Sequence, residues 1–326
     1  MKKISLTLAI VALMFVGCKS NPQPVEEGAT VYMTTEVSPE ALIKVYQALG
    51  VTPEGRVAVK ISTGEAGGHN YLKPELIGDF VKLVNGKLVE CNTAYAGMRT
   101  NNDDHAKVID DHGFNTIGGV DIMDADGEMQ IPVRDTTYMK YNIVGKNLQN
   151  YDYLINLAHF KGHQMGGFGG VLKNQSIGVA SANGKAYIHS NGKLQDPAQL
   201  WQNIDPADQD KFLECMATAA MAVSDYMKGK VLYINVMNNM SIDCDCNGNP
   251  TTPELKDMGI LASTDPVALD QACLDLVYKH QNAEGDDATS LIKRVEKQHG
   301  VHTIEHAEAI GLGTRKYHIV SIDNQK

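Results

Sequence analysis

Apolar positions along this chain fall into two patterns that take turns. Short runs that are apolar throughout, or at every second residue, occur at 56–61, 87–91, 119–123, 153–157, 230–236, 258–262 and 317–322, and each predicts a strand. Between them lie longer stretches with apolar residues three and four apart, at 39–49, 74–84, 103–112, 208–228, 265–277 and 302–310, which predict helices. In the second of these, Pro74 suits a first helical position, and Leu76, Ile77, Phe80, Val81 and Val84 form one stripe. Asn101 and Asn102 can cap the helix at 103–112 and Gly113 can stop it, while Asp265 and Pro266 start another as cap and first turn. The run 230–236 is nearly continuous in apolar residues, as in a strand buried on both faces of a parallel sheet. Residues 129–133 are expected to pair with 119–123 as a hairpin around Asp126-Gly127. Strand and helix alternate, which predicts an α/β fold with mostly parallel sheet flanked by helices. It would form one domain over residues 31–326, or two α/β lobes with a cleft.

The strand at 153–157 feeds the stretch richest in chemistry. His159, Phe160, Lys161, Gly162 and His163 come first, then Gly166, Gly167, Gly169 and Gly170, and then Lys173 and Asn174 open a helix. A buried strand ending in a glycine-rich loop is where an α/β protein places a ligand, at the carboxyl edge of its sheet. Glycine lets backbone approach a ligand closely and adopt positive φ. Histidines and lysines crowded there offer proton transfer, metal ligation and anion contacts together. The expectation is therefore a ligand-binding segment built on Lys161, the four glycines, Lys173 and Asn174, rather than a plain turn with solvated cations. Arg99, after the strand at 87–91 and near a helix start, suits an anion; alternatively it pairs at the surface with Asp103 or Asp104. His69, in the glycine loop at 62–70, is either a site residue or a solvated loop side chain. Asp121, Asp124, Asp126 and Glu128 lack EF-hand spacing and read as turn acids.

Composition narrows the function classes. With 43% apolar and 21% charged residues the chain is ordinary for a globular protein. A formal net charge of −10 leaves no basic footprint for general nucleic-acid binding. A small anionic molecule remains a suitable partner, because a local basic pocket can sit inside a negative protein.

At the start, Lys2 and Lys3 precede an apolar run over 4–16 that is short for a bilayer span and reads as a signal-peptide core. It ends in Phe15-Val16-Gly17-Cys18, which resembles a bacterial lipoprotein cleavage site. The expectation is a signal peptide over 1–17, a membrane anchor through acyl chains on Cys18, and a flexible tether over 18–30. The protein would then sit in the bacterial cell envelope, facing the periplasm or the outside.

Five of the six cysteines follow that point: Cys91, Cys215, Cys244, Cys246 and Cys273. An odd number at scattered spacing is no disulfide framework. Cys215 and Cys273 fall on apolar helix faces and read as core. Cys244 and Cys246 share the loop after the strand at 230–236 with Asp243 and Asp245. They are candidate ligands for zinc or an iron–sulfur centre, or two thiols without a ligand.

Lys161-Gly162-His163, the run Gly166-Gly167-Phe168-Gly169-Gly170, Lys173-Asn174, the segment around Cys244-Asp245-Cys246 and residues 259–270 together resemble domain-of-unknown-function family 362. These are the uncharacterised iron–sulfur-centre proteins, and the resemblance covers most of residues 55–322. Many members carry a ferredoxin-like cysteine cluster, and this sequence has none. More distantly, the order His163, glycine loop, Lys173, His189 is similar to the nickel-pincer lactate racemase superfamily. That resemblance implies Lys173 as the attachment point of a pincer cofactor, His189 as a nickel ligand and His163 as a base. Where that family has a second base in a Thr-His-Arg sequence, this chain has Gly97-Met98-Arg99. Methionine takes no proton, so a second base would have to be His105 or His69.

Three functional readings stand. In the first the protein is an enzyme with His163 as acid or base, Lys173 and Arg99 holding a small anionic substrate, and a metal or tethered cofactor on His189. In the second it is a non-catalytic metal-binding or iron–sulfur redox lipoprotein centred on Cys244 and Cys246. In the third it is a surface ligand-binding module. Nickel, zinc or an iron–sulfur centre would fit one or other of these, and no motif speaks to oligomeric state. The anchor is testable alone: Cys18→Ser should move the protein from the membrane to the soluble fraction with its melting temperature unchanged. Retention on membranes would sink the lipoprotein reading.

Overall fold

The computed structural model describes residues 28–323. The expected signal peptide, Cys18 and most of the tether lie outside the described residues. In chain order the elements are β1 (Ala29–Thr34), α1 (Pro39–Ala48), β2 (Val57–Lys60), α2 (Pro74–Leu83), β3 (Gly86–Glu90), α3 (Asn102–Asp111), β4 (Val120–Ile122), β5 (Glu128–Pro132), β6 (Tyr141–Gly145) and β7 (Tyr153–His159). They continue with β8 (Lys161–His163), β9 (Gly167–Gly169), α4 (Val171–Ser176), α5 (Ala182–His189), α6 (Pro197–Leu200), α7 (Gln209–Tyr226), β10 (Val231–Met237), β11 (Gly259–Ser263), α8 (Pro266–Tyr278), α9 (Thr289–Lys297), α10 (Val301–Ala309) and β12 (Tyr317–Ser321). β1 takes in the last two residues of the stretch expected as tether and pairs in parallel with β12.

Eight strands form one sheet in the order β12-β1-β11-β10-β7-β2-β3-β4. Every neighbour pair is parallel except the two made by β11, which runs against β1 and β10. This is the α/β fold with a mostly parallel sheet that the pattern predicts. Successive side chains of a strand point to opposite faces, and both faces are covered. Ala58, Leu154, Ala158, Tyr233 and Leu261 share one core with residues of α4, α7, α8 and α10. Val57, Val59, Ile155, Leu157, Ile234 and Ile260 pack on α1, α2 and α3. From β2 the chain steps outward through β3 and β4, then returns to lay β7 on the other side of β2. The crevice between β2 and β7 is therefore the switch point of the topology, where open α/β sheets bind ligands.

The hairpin expected between 119–123 and 129–133 does not form. β4 is the edge strand, paired with β3, and β5 pairs with β6 instead. The turn acids explain this: Asp124 accepts hydrogen bonds from the backbone N–H groups of Asn92 and Ala182, so the chain after β4 is held toward α5 instead of folding straight back. Among the described residues no helix is long and apolar enough to cross a membrane.

A buried polar network fixes α4 over the sheet. Asn174 donates to the Asn156 side chain at 2.7 Å and to the Lys60 carbonyl at 3.0 Å, and Asn156 donates to the Val171 carbonyl at 2.8 Å. Asp270 on α8 accepts from the Val171 and Leu172 N–H groups, both at 2.9 Å, and from the Asn235 amide at 2.7 Å. The helix start after the glycine loop, expected to face a ligand, is thus closed by a protein carboxylate. Asp270→Ala should leave these donors buried without an acceptor and cost roughly 3 kcal/mol or more. Urea denaturation measures it, and a loss under 1 kcal/mol on the same scale would contradict the network's role.

Candidate functional site

Lys60 ends β2, Glu90 ends β3, His163 follows β7 and Cys244 follows β10, and because these strands are parallel all four residues reach one edge of the sheet. Together they line a cavity of about 490 Å³. Of the residues singled out in the sequence, His163, Lys173, Asn174, His189, Arg99, Cys244 and Cys246 all line it. Ala94, Met165, Ile177 and Trp201 supply apolar wall, and the Trp201 indole donates to the Ala94 carbonyl at 2.9 Å.

The two cysteines are aimed by the residue between them. Asp245 is buried and turns away to His159 at 2.8 Å and Lys161 at 2.9 Å, while its carbonyl accepts from the Glu65 N–H at 2.7 Å. These charges, with burial opposing them, bring the Asp245 carboxyl down to about 2. The sulfurs of Cys244 and Cys246 gather with a ring nitrogen of His163 within 4.8 Å of one another. Lys173 Nζ stands 3.7 Å from the Cys244 sulfur. The hydrogen bond from Cys246, then the Lys173 charge and the hydrogen bond from His163, hold Cys244 well below an ordinary thiol despite burial. That same hydrogen bond, with burial, pushes Cys246 up, so Cys244 is the more acidic of the two thiols. By contrast, burial raises the thiols of Cys91, Cys215 and Cys273.

His163 is oriented by its own turn. Its Nδ1 accepts from the N–H groups of Met165 at 3.2 Å and Gly166 at 2.8 Å. In the neutral ring the proton is then on Nε2, which makes His163 a hydrogen-bond donor to Cys244. Burial lowers the pKa of His163, which keeps the ring neutral. His163 lines the cavity as expected, with its Nδ1 lone pair taken up by its own turn. His189 is tied differently: its Nδ1–H donates to the Lys185 carbonyl at 2.7 Å, and the ring stacks on Phe212 at 4.7 Å. Burial, with the neighbouring cations, brings it down to about 3, so Nε2 remains an acceptor. His189 does not belong to the group of three within 4.8 Å; the imidazole beside the sulfurs is that of His163, a neighbour the sequence did not place there.

Other expectations are corrected by packing. Lys161 is spent on Asp245 and on the His159 carbonyl at 3.0 Å, and it does not line the cavity. Neither do Gly166, Gly167, Gly169 and Gly170, whose glycines serve close protein contact. A Cβ on Gly167, at φ +78, would lie 2.9 Å from Gly300, and one on Gly170 would lie 2.2 Å from the Asp270 carboxylate. Arg99 is buried, not on the surface with Asp103 or Asp104. Its guanidinium is taken by Glu90 at 2.9 Å, Glu65 at 3.4 Å and the Tyr95 hydroxyl at 2.7 Å, so its charge is neutralised before any substrate arrives. His69 is exposed, and His105 is buried behind Glu90 at 3.2 Å, so neither faces the cavity.

Two lysines that sequence reasoning passed over line the cavity beside Lys173. Lys60 donates to the Ile61 carbonyl and to Asn174 Oδ1 at 3.1 Å, and Lys185 donates to the Ala180 carbonyl at 2.6 Å. Among the described residues none of the three has a carboxylate within ion-pair distance. A lysine inside the apolar run Val57-Ala58-Val59-Lys60-Ile61 was the available signal for the first. Lys185 was hidden because Asn183-Gly184 reads as a turn. The segment is instead α5, capped by Ser181, with glycine at 184 because a Cβ there would sit 1.9 Å from the Ile143 carbonyl oxygen.

The model of the family described as "Domain of unknown function (DUF362)" matches residues 57–275. Among solved structures the chain is similar to the lactate racemase apoprotein from Thermoanaerobacterium thermosaccharolyticum, at 11% identity and a TM-score of 0.43. The similarity covers 77% of this chain and 57% of that one, so the chain spans little more than half of its length. No curated protein matches the sequence.

Electrostatics of the sulfur pair predict the order of thiol reactivity. At neutral pH iodoacetamide should alkylate Cys244 before Cys91, Cys215 and Cys273. Lys173→Met should slow that reaction by about tenfold, the effect of roughly one unit in thiol pKa. Equal labelling of all five thiols, read by peptide mass mapping, would contradict the ion pair.

Proposed function

The chain belongs to the family of the domain of unknown function DUF362, and from that premise we propose that it is an enzyme moving a proton on a small anionic substrate. The observation that carries this reading is the Cys244 sulfur held between His163 and Lys173 at the wall of the cavity, an arrangement that favours its thiolate. A thiolate is a competent general base, and the Cys246 thiol beside it can return a proton. His163 acts as a positioning donor to Cys244, and Lys173 balances its charge. Lys185, with Lys173 beside it, would hold the anionic group of the substrate, and Trp201, Ala94 and Met165 would limit water. The acidic exterior does not oppose this, since field lines from cations in a low-dielectric cleft are felt locally. In this reading the enzyme is anchored to the cell envelope through Cys18, acts on a small molecule and has no nucleic-acid partner.

A second reading is favoured by one observation, the closeness of two sulfurs and an imidazole. Two thiolates suit a soft metal such as zinc or nickel. His163 fits less well, because its Nδ1 takes two backbone N–H groups and its Nε2 carries the proton. A metal here would be held chiefly through Cys244 and Cys246, and would supply Lewis-acid polarisation of a bound substrate. Without a ferredoxin-like cysteine cluster, an iron–sulfur centre would need ligands beyond the three that the described residues gather within 4.8 Å.

The two readings separate in one experiment. Protein purified from its native host is analysed for metals, then assayed in heavy water by proton NMR against a panel of 2-hydroxy, 2-amino and 2-oxo acids. The proton-transfer reading expects carbon-bound proton exchange in at least one acid, falling about 100-fold or more in Cys244→Ser. A stoichiometric metal released by the Cys244→Ser, Cys246→Ser double variant supports the second reading. No exchange across the panel counts against the first.

A further inference from the structure

Lys60 is placed for a different kind of chemistry from the lysines around it. It is the last residue of β2, beside the β2–β7 crevice, and it is 1% exposed while still lining the cavity. Its nitrogen has two hydrogen-bond acceptors, the Ile61 carbonyl and Asn174 Oδ1. An ammonium has three N–H groups and a neutral amine two. These two acceptors satisfy the neutral amine in full and leave its lone pair without a partner among the described residues. Gly178, which also lines the cavity, makes the room: a Cβ there would lie 2.8 Å from both Cε and Nζ of Lys60.

Resting on the reading that the cavity binds a small anion, we propose that Lys60 forms an imine with the carbonyl carbon of a small oxo acid whose carboxylate is held by Lys173 and Lys185. The amine lone pair attacks the carbonyl carbon to give a carbinolamine, and a proton passes from nitrogen to oxygen. With one further proton from solvent, water leaves and the carbon–nitrogen double bond forms as an iminium. No oxidant or reductant is required. An iminium acidifies the protons on the adjacent carbon, which gives the Cys244 thiolate a proton to take.

The electrostatics agree with this role. Burial lowers Lys60 to about 7; Glu90 and the Cys91 thiol oppose the shift, and Lys185 and Lys173 add to it. A lysine desolvated beside other cations is a recognised way to obtain a nucleophilic amine near neutral pH. The sign for folding is clear as well. With the folded pKa below the unfolded one, the native state binds fewer protons between about 7 and 10.5, so Lys60 makes stability rise with pH across that window.

The test uses the full chain in detergent with pyruvate and glyoxylate as probes, each with cyanoborohydride, followed by intact mass and peptide mapping. The expected result is one reduced adduct, on Lys60, with trapping that increases as pH rises through 7. The Lys60→Arg variant keeps the charge but forms no imine, and should trap about tenfold less or lower. Lys60→Met, with its fold checked by thermal melting, should behave likewise and should lose the rise in stability above pH 7. Adducts spread over surface lysines to the same extent in wild type and variants would overturn the proposal, as would an adduct on Lys173 or Lys185. Titration of the probes by NMR without reductant separates the two levels. Binding without any adduct overturns the imine and leaves the anion-binding cavity standing; no binding of either probe overturns both.

Discussion

Asp245 is the constraint on which the site depends. A carboxylate with no access to water is tolerable only when it is paired, and His159 and Lys161 at the end of β7 supply that pairing. Removing one partner of such a buried pair costs about 3–5 kcal/mol, so the loop after β10 has little freedom to leave the end of β7. Both contacts are made by the one residue between Cys244 and Cys246. Pinning it sends the flanking sulfurs to the cavity, where Lys173 and His163 meet them. The joint between β7 and β10 is therefore also the device that presents the thiolate.

The same logic of buried polar groups that must be satisfied runs through the face of the sheet under α4. Asn156, Asn174, Asp270 and Asn235 tie that short helix to β7, β2, β10 and α8. The helix has fewer than two turns and would not hold its place by propensity. Its position is what puts Lys173 over Cys244 and Asn174 against Lys60. Protein groups thus do internally what the glycine loop suggested a ligand would do: Asp270 takes the helix N–H groups, and the glycines admit neighbouring backbone and side chains.

Charge in the cavity is arranged by the same rule, with a deliberate remainder. Arg99 is balanced by Glu65 and Glu90, and Asp245 by His159 and Lys161. Among the described residues Lys60, Lys173 and Lys185 have no carboxylate of their own, and burial disfavours the charged forms of Lys60 and Lys185. Cations without a carboxylate in a closed pocket favour an anionic visitor, or lose a proton and become nucleophiles. One pocket therefore holds a thiol whose ionised form is favoured and a lysine whose charged form is disfavoured.

By itself the sequence determined the elements and the edge of the sheet at which they meet. Period-two and period-3.6 patterns reflect which face is buried, and a parallel sheet must gather the ends of its strands on one side. That was enough to place His163, Lys173, His189 and Arg99 in one pocket, and to identify the family from the residues around Lys161, Lys173, Cys244 and Asp265. Tertiary structure alone decided what each of those groups is free to do. Whether Arg99 or Lys161 has charge to spare depends on Glu90, Glu65 and Asp245, which lie elsewhere in the chain. Which nitrogen of His163 carries the proton depends on two backbone N–H groups in its own turn. The pairing of β5 with β6, the helix at 182–189 and the exposure of Lys60 and Lys185 to the cavity were likewise settled by long-range packing. Local pattern records burial, whereas chemistry depends on which partner fills each hydrogen bond, and those partners are brought together only by the fold.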